Sequence, residues 1–339
     1  MKLTDAPVTE LIRTCALQGR DTFFALPAPP SLPEIQALSG ALDGRVLVLL
    51  PGTVYPCGHR DVSVFNTPQD LAGPPEQNVL FADIRLLGAP EFAAYLTEYA
   101  FRYILLPFYE TALKWEYGYK FSYRQVSELR ASLPFSVHLI GVSARDRKDD
   151  ALFETFGTRE YAVLEDKDSP RLSGQKTENE NEKFRLAARQ CEASAFRKQI
   201  VLCATRTEGV RLQAFFHSWG IRAALFHGGQ SKEENAAALR AFTGNEAHTL
   251  VATKSLIPSY PFIRADKVYC FGLPYSISHA DRCAALSAEN ALICIWCEED
   301  IITLQTQTEA FIKALQIEDP AFSAHRKNAL DEVLRFLAD

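Results

Sequence analysis

No apolar run in this 339-residue chain approaches the roughly 20 residues that cross a bilayer, so no membrane role is expected. The opening MKLTDAPVTE lacks the apolar segment of a secretory signal. Positive charge is also scarce, with 36 Lys and Arg against 42 Asp and Glu and a net charge of −6. That balance argues against a general polyanion binder, although a local basic patch fits within it. The eight cysteines form no ladder, and Cys203, Cys270 and Cys294 sit in apolar runs. Buried thiols in a reducing compartment suit that pattern better than a disulfide framework. Cys294 and Cys297 have CxxC spacing, but strand residues three apart face opposite sides and no second pair lies near. No metal is expected there, and the expected location is the cytoplasm.

The most informative absence lies in residues 24–34, FALPAPPSLPE, which hold neither glycine nor lysine. A strand-like run at 22–26 leads in, a helix-like run at 32–42 leads out, and a second strand follows at 45–50. That order is the setting of a phosphate-binding loop. Such a loop aims backbone N–H groups at phosphate, adds a lysine, and places a hydroxyl on Mg²⁺. Here Pro29, Pro30 and Pro33 have no N–H to offer. Ser31 and Glu34 form a capping-box pattern, which puts the protein's own carboxylate at the helix terminus that a phosphate would use. No cofactor is expected.

What the chain does contain is ordinary for a globular protein: 47% apolar and 23% charged residues. Its length allows two domains with proper cores. Short apolar runs alternate with amphipathic stretches, the pattern of an α/β protein with mainly parallel sheets. Strands are expected at 22–26, 45–50, 78–82, 102–106 and 135–142, with helices at 7–18, 89–100 and 122–132. The run 165–183 is nearly devoid of large apolar residues and is expected to be a mobile linker. Beyond it come strands at 199–203, 223–226, 249–252, 267–271 and 291–295. Helices are expected at 207–219, 231–242, 306–315 and 324–337.

This colinear arrangement resembles the core of RecQ-family DNA helicases over nearly the whole chain. Gly19-Arg20-Asp21 precedes the loop as it does in that family, and Leu133-Pro134-Phe135 leads into a strand. In the second half Ile200 to Arg206 resembles the motif IV strand. His227-Gly228-Gly229 matches the His-x-Gly element, Val251-Ala252-Thr253 the start of motif V, and Phe271-x-x-Pro274 the approach to motif VI. The resemblance implies two tandem RecA-like domains, each a parallel β-sheet flanked by helices. The first would span 1–164 and the second 191–300, joined by a linker at 165–190 and followed by C-terminal helices at 301–339.

The family's chemical residues do not carry over. Its adenine-reading glutamine falls on Thr9, and the arginine three positions earlier on Ala6. The phosphate-binding lysine falls on Leu32 and the next hydroxyl on Pro33. The Mg²⁺-binding Asp-Glu pair falls on Pro107-Phe108, with Glu110 the nearest acid. Motif III becomes Ser143-Ala144-Arg145, motif V positions become Ile257, Ser259 and Pro261, and motif VI places Leu286 and Glu289 where arginines stand. Phosphoryl transfer is mostly positioning and charge stabilisation, and an arginine finger alone supplies roughly 10³ to 10⁵ in rate. Losing all of these together implies a degenerate, catalytically inactive helicase core, a pseudo-helicase with no catalytic residues.

One segment retains chemistry. Residues 114–124, KWEYGYKFSYR, interleave five aromatics with three cations, as a single-strand stacking platform does. Trp115, Tyr117, Tyr119 and Phe121 would stack on bases while Lys114, Lys120 and Arg124 meet phosphates. Packing of Trp115 and Phe121 into the domain is the competing account. His227 suits a structural or DNA-edge role, and Asp281-Arg282 a solvated surface pair. The expected function is a non-catalytic scaffold or accessory single-stranded-DNA-binding subunit in DNA replication, repair or recombination. Its expected partners are single-stranded DNA, bound weakly, and another DNA-processing protein. A working ATP-dependent helicase is one alternative, separated by the nucleotide loop. A protein-interaction module without nucleic acid is another, separated by the aromatic loop.

Overall fold

A computed structural model describes residues 5–26, 30–50, 63–107 except 72 and 76, 109, 124–143, 156, 158, 161–165, 171–194, 197–260 and 263–314, together with 331, 333 and 335. The chain divides into two units, Met1–Asp168 with Pro258–Phe262, and Ser169–Ile257 with Ile263–Asp339.

In the first unit the elements run α1 (Ala6–Leu17), β1 (Asp21–Ala25), α2 (Leu32–Ala41), β2 (Arg45–Leu50), β3 (Ser63–Phe65), β4 (Val79–Asp83), α3 (Pro90–Glu98), β5 (Phe101–Pro107), α4 (Arg124–Ser132), β6 (His138–Ser143) and β7 (Tyr161–Glu165). The strands form one seven-stranded sheet in the order β3-β4-β2-β5-β6-β1-β7, and every pairing is parallel. A parallel sheet is covered on both faces, which is why its strands are continuous apolar runs. Side chains nevertheless alternate. Phe23, Leu47, Leu49, Ile104 and Leu106 join Phe92, Leu96, Val126 and Leu129 of α3 and α4. Phe24, Val46, Val48, Tyr103 and Leu105 join Ile12 of α1 and Leu32, Ile35 and Leu38 of α2. Gly141 lies opposite Phe23 in register, and a Cβ there would collide with the Phe23 ring and come within 2.9 Å of the Tyr109 ring. Glycine is therefore what admits both rings.

At the amino ends of the strands a buried polar cluster fixes register. Asp21 accepts from Arg130 Nη2 at 2.9 Å, Leu139 N at 2.8 Å and Thr158 Oγ1 at 2.9 Å. His138 Nε2 pairs with Thr22 Oγ1 at 3.0 Å on the adjoining strand. Burial pushes the His138 imidazole down from 6.5 to about 4; Asp21 opposes this shift, and Arg130 adds to it.

The second unit begins with β8 (Arg171–Lys176) and α5 (Glu180–Glu192), followed by β9 (Gln199–Cys203), α6 (Arg206–Ser218), β10 (Ala223–Phe226), α7 (Lys232–Thr243), β11 (Thr249–Thr253), α8 (Leu256–Ser259), β12 (Lys267–Phe271), α9 (Ile277–Ala284), β13 (Ala291–Trp296) and α10 (Glu298–Ala314). Its six strands run β10-β11-β9-β12-β13-β8, again all parallel. Phe184, Ala187 and Cys191 of α5 and Leu212 and Phe216 of α6 pack on Val201, Val251, Tyr269 and Ile295. Among the described residues no helix is long and apolar enough to cross a membrane.

Two sequence expectations fail in this unit. The run 165–183 is not simply a linker, because it contains β8 and the start of α5. β8 is an edge strand whose residues are mostly exposed, so its pairing comes from main-chain bonds to β13 and leaves no apolar trace in the sequence. α5 is capped by Asn179, whose Oδ1 accepts from Glu182 N at 3.0 Å. Asp281 and Arg282 are not a solvated pair; both are fully buried, because the small residues Ala280, Cys283 and Ala284 let α9 sink into the unit. In unit 1, β3 and β7 were also not expected.

The buried imidazole yields a prediction. Between pH 6.5 and about 4 the unfolded chain binds a proton at His138 that the folded chain excludes. Stability is therefore complete above pH 6.5 and falls with acidification, by about 3 kcal/mol in total. Urea unfolding across this range should show His138→Gln losing that component of the pH slope; an unchanged slope would remove His138 as its source.

Candidate nucleic-acid interface

In unit 2 the winding of the sheet reverses around β9. The chain passes from β9 outward to β10, returns through β11, and crosses to β12 on the other side. Ligands of open α/β sheets bind outside the carboxyl ends of strands at such a switch point. The carboxyl ends of β9, β10, β11 and β12 carry polar loops here. After β9, Thr205 caps α6, with Glu208 N donating to Thr205 Oγ1 at 3.1 Å, and Arg206 opens the helix.

After β10 come His227, Gly228 and Gly229. The His227 N–H donates to Gln230 Oε1 and Asn235 Oδ1, both at 3.1 Å. Its carbonyl accepts from Asn235 Nδ2 at 3.0 Å, and its Nδ1 accepts from Gly229 N at 3.1 Å. His227 thus locks the turn. A Cβ on Gly229 would stand 2.9 Å from Arg206 Nη1, so the guanidinium lies directly over the glycine backbone. A Cβ on Gly228 would lie 3.7 Å from Ser255 Oγ and 3.8 Å from Arg206 Nη2.

After β11, Thr253 Oγ1 and Ser255 Oγ share a hydrogen bond of 2.9 Å. Lys254 Nζ sits 4.7 Å from the centre of the Tyr275 ring. Tyr275, beyond β12, donates its hydroxyl to the Ala204 carbonyl at 3.3 Å. The result is a shallow edge with a guanidinium, an ammonium, two hydroxyls, two glycines and an aromatic ring. Groups of these kinds can contact phosphates without reading sequence. The sequence carried it as weak motif fragments; the convergence of Arg206 on Gly229 is visible only in three dimensions.

A buried ion cluster supports α6 from behind. Lys183 Nζ, its side chain only 2% exposed, meets Asp300 Oδ1 at 2.6 Å and Glu208 Oε1 at 3.2 Å. It also lies 4.3 Å from the centre of the Phe271 ring. Burial works against the ammonium, but Glu208 and Asp300 outweigh it and hold its pKa above the usual value. Glu208 Oε2 accepts from Ala204 N at 3.0 Å, and Asp300 Oδ2 from Cys297 N at 2.8 Å. The cluster therefore ties α5, α6 and α10 together at this edge.

In unit 1 the equivalent strand ends hold different chemistry. Glu34 Oε2 accepts from Ser31 N at 2.8 Å and Ser31 Oγ at 2.7 Å, so the first turn of α2 is closed by its own carboxylate. Leu32, in the place of the lysine, is 3% exposed and belongs to the apolar cluster under the sheet. β5 ends at Pro107, and Tyr109 beyond it is buried with its ring centre 5.1 Å from that of Phe23. Thr9, Ile257, Ser259 and Leu286, at four other family positions, are also buried. Glu289 is exposed and lies 3.7 Å from Arg171. A carboxylate with no signal in the sequence is Asp83 at the end of β4, fully buried and taken by Arg85 N at 2.9 Å and Arg85 Nε at 2.8 Å. These residues do not fit a Mg²⁺–nucleotide. Among the described residues no group of three or more His, Cys, Asp or Glu could hold a metal ion. Of the aromatic segment, Arg124 opens α4, whereas Lys114, Trp115, Tyr117, Tyr119, Lys120 and Phe121 lie outside the described residues.

Residues 182–285 match the family described as the helicase conserved C-terminal domain. The fold is that of a tandem RecA-like helicase core. The Mycobacterium smegmatis helicase Lhr, solved with single-stranded DNA and AMP-PNP, is similar over 91% of this chain and 48% of its own, at 15% identity and a TM-score of 0.63. Saccharomyces cerevisiae Dbp5, solved with RNA and ADP BeF3, is similar over 94% of this chain and 92% of its own, at 13% identity and a TM-score of 0.60. The helicase MrfA, solved with DNA, covers 90% of this chain and 48% of its own, at 12% identity and a TM-score of 0.63. The chain thus spans about half the length of Lhr and of MrfA. No curated protein is significantly similar to it in sequence.

Removing Lys183 should leave two buried carboxylates facing each other. Lys183→Ala is expected to destabilise unit 2 by about 3 kcal/mol, with the deficit shrinking as acid protonates Glu208, whose pKa burial already raises. Urea unfolding followed through Trp219 and Trp296 reads this; a variant as stable as the parent at neutral pH would show that the cluster contributes nothing.

Proposed function

We propose that the chain is a RecQ-like helicase core that has lost nucleotide chemistry and serves as a non-catalytic, single-strand-binding accessory in DNA metabolism. The observation that carries the reading is the amino terminus of α2, where Glu34 occupies the helix end and Leu32 is buried. A nucleotide there would have to expel the carboxylate and find charge where an apolar side chain packs. The RecQ affinity rests on the order of the motif fragments. The nucleic-acid role rests on the Arg206, Gly229, Lys254 and Ser255 edge and on the aromatic segment at 114–124. That Lhr and MrfA are solved with DNA adds support by analogy of fold only. The partner would be another DNA-processing protein that uses this core as a platform.

Two assays test the proposal together. Phosphate release from ATP should stay at the buffer level with or without single-stranded DNA; stimulation by DNA that a change in residues 28–34 abolishes would overturn the non-catalytic reading. Anisotropy of a labelled oligonucleotide should show weak binding at low salt. Arg206→Ala with Lys254→Ala should flatten the logarithmic salt slope by about 0.7 for each phosphate no longer neutralised. Tyr117→Ala with Tyr119→Ala should cost about 1–3 kcal/mol per stacked base. If the parent binds no oligonucleotide at low salt, a pure protein-interaction module takes its place.

A further inference from the structure

Unit 1 holds a cavity of about 870 Å³ lined by α1, β5, α4 and the amino ends of β1 and β6. It lies at the opposite end of the sheet from the first turn of α2. Its volume falls within the range of small-molecule sites, roughly 300–1,000 Å³. Its lining combines the buried residues Asp21, Tyr103, Val137, His138 and Phe156 with the exposed residues Arg13, Leu17, Asp43 and Arg102.

Three arginines line the cavity, opposed by Asp21 and Asp43. Arg130 and Asp21 are committed to each other at 2.9 Å. Arg13 and Arg102 are not committed in that way. Arg13 donates from Nη2 to the Ala41 carbonyl at the end of α2, and its other nitrogen stands 3.7 Å from exposed Glu10. Among the described residues Arg102 reaches only Asp43, a fully exposed carboxylate at 3.5 Å. Surface pairs of this kind contribute little and re-aim readily.

The stems of both arginines are nonetheless placed. The Ala41 carbonyl holds Arg13 from behind. The Arg102 stem lies across Gly44, whose φ is +148° and where a Cβ would come within 3.2 Å of the Arg102 side chain. In the same lining, the Tyr103 ring meets the His138 ring edge-on, with centres 6.0 Å apart.

We propose that this cavity binds a small anionic aromatic ligand, a ring bearing a phosphate, sulfonate or carboxylate. Arg13 and Arg102 clamp the anion, and the Tyr103 and Val137 walls receive the ring. Planar guanidinium groups suit such anions because each can donate two parallel hydrogen bonds. A peptide fits less well, since among the described lining residues Leu17, 90% exposed, is the one large apolar side chain left bare.

Calorimetric titration of the full chain with phenyl phosphate at low salt tests this. One saturable site per chain is expected. Arg13→Ala and Arg102→Ala should each weaken it about tenfold, Arg102→Lys less, and Arg222→Ala in unit 2 not at all. Circular dichroism confirms that each variant is folded. The proposal fails if phenyl phosphate gives no saturable heat, or if folded Arg13→Ala and Arg102→Ala bind as the parent does. It fails too if an acidic tryptophan-containing peptide binds and phenyl phosphate does not, which would make the cavity a protein-docking surface. None of these outcomes depends on whether the core binds nucleic acid.

Discussion

The non-catalytic reading of this protein depends on what occupies the first turn of one helix. A helix amino terminus presents unpaired N–H groups and a partial positive charge, and something must satisfy them. In α2 that partner is Glu34, through Ser31 N and Oγ. The choice is local, four residues long, and readable from a capping box. Its consequence is global, because α2 follows the strand whose carboxyl end is the natural ligand position of the whole sheet.

Fold and chemistry are encoded separately in this chain, for a physical reason. The sheets are held by apolar residues alternating between two covered faces, and those positions are intact. The chemistry of such folds is carried by the loops at the strand ends. At those positions this chain places residues that improve packing instead: Leu32, Ile257 and Leu286 are all buried. Burying one such side chain contributes about 1.5–3 kcal/mol, so these positions add to stability. Unit 2, which holds Ile257 and Leu286, combines both. Its strand ends keep Arg206, Lys254, Ser255 and two glycines, a set suited to phosphates, and support them with the Lys183 cluster beneath.

The strands are legible in the sequence where burial is two-sided. The bounds of β2, β9, β10 and β12 coincide with the apolar runs of the chain, because a strand enclosed on both faces has no other way to be encoded. β8 escapes because it is an exposed edge strand, defined by main-chain bonds to β13 and not by its side chains. Asp281 and Arg282 mislead because charge ordinarily signals solvent, whereas the small residues flanking them let α9 bury both. The clusters around Asp21 and around Lys183 are not legible at all. Each joins residues more than a hundred positions apart, such as Asp21 with Leu139 and Lys183 with Asp300, and no local pattern announces such a meeting. The cavity beside Arg13 and Arg102 belongs to the same class.

The account turns on whether the α2 terminus can receive phosphate. A ligand with affinity for the folded state alone must raise the melting temperature by mass action. Thermal unfolding in millimolar ATP with Mg²⁺, compared with Mg²⁺ alone, is therefore the most direct measurement. The account predicts coincident melting curves. A clear upward shift that disappears when Leu32 or Glu34 is changed would show that the loop opens and binds nucleotide, and would contradict it.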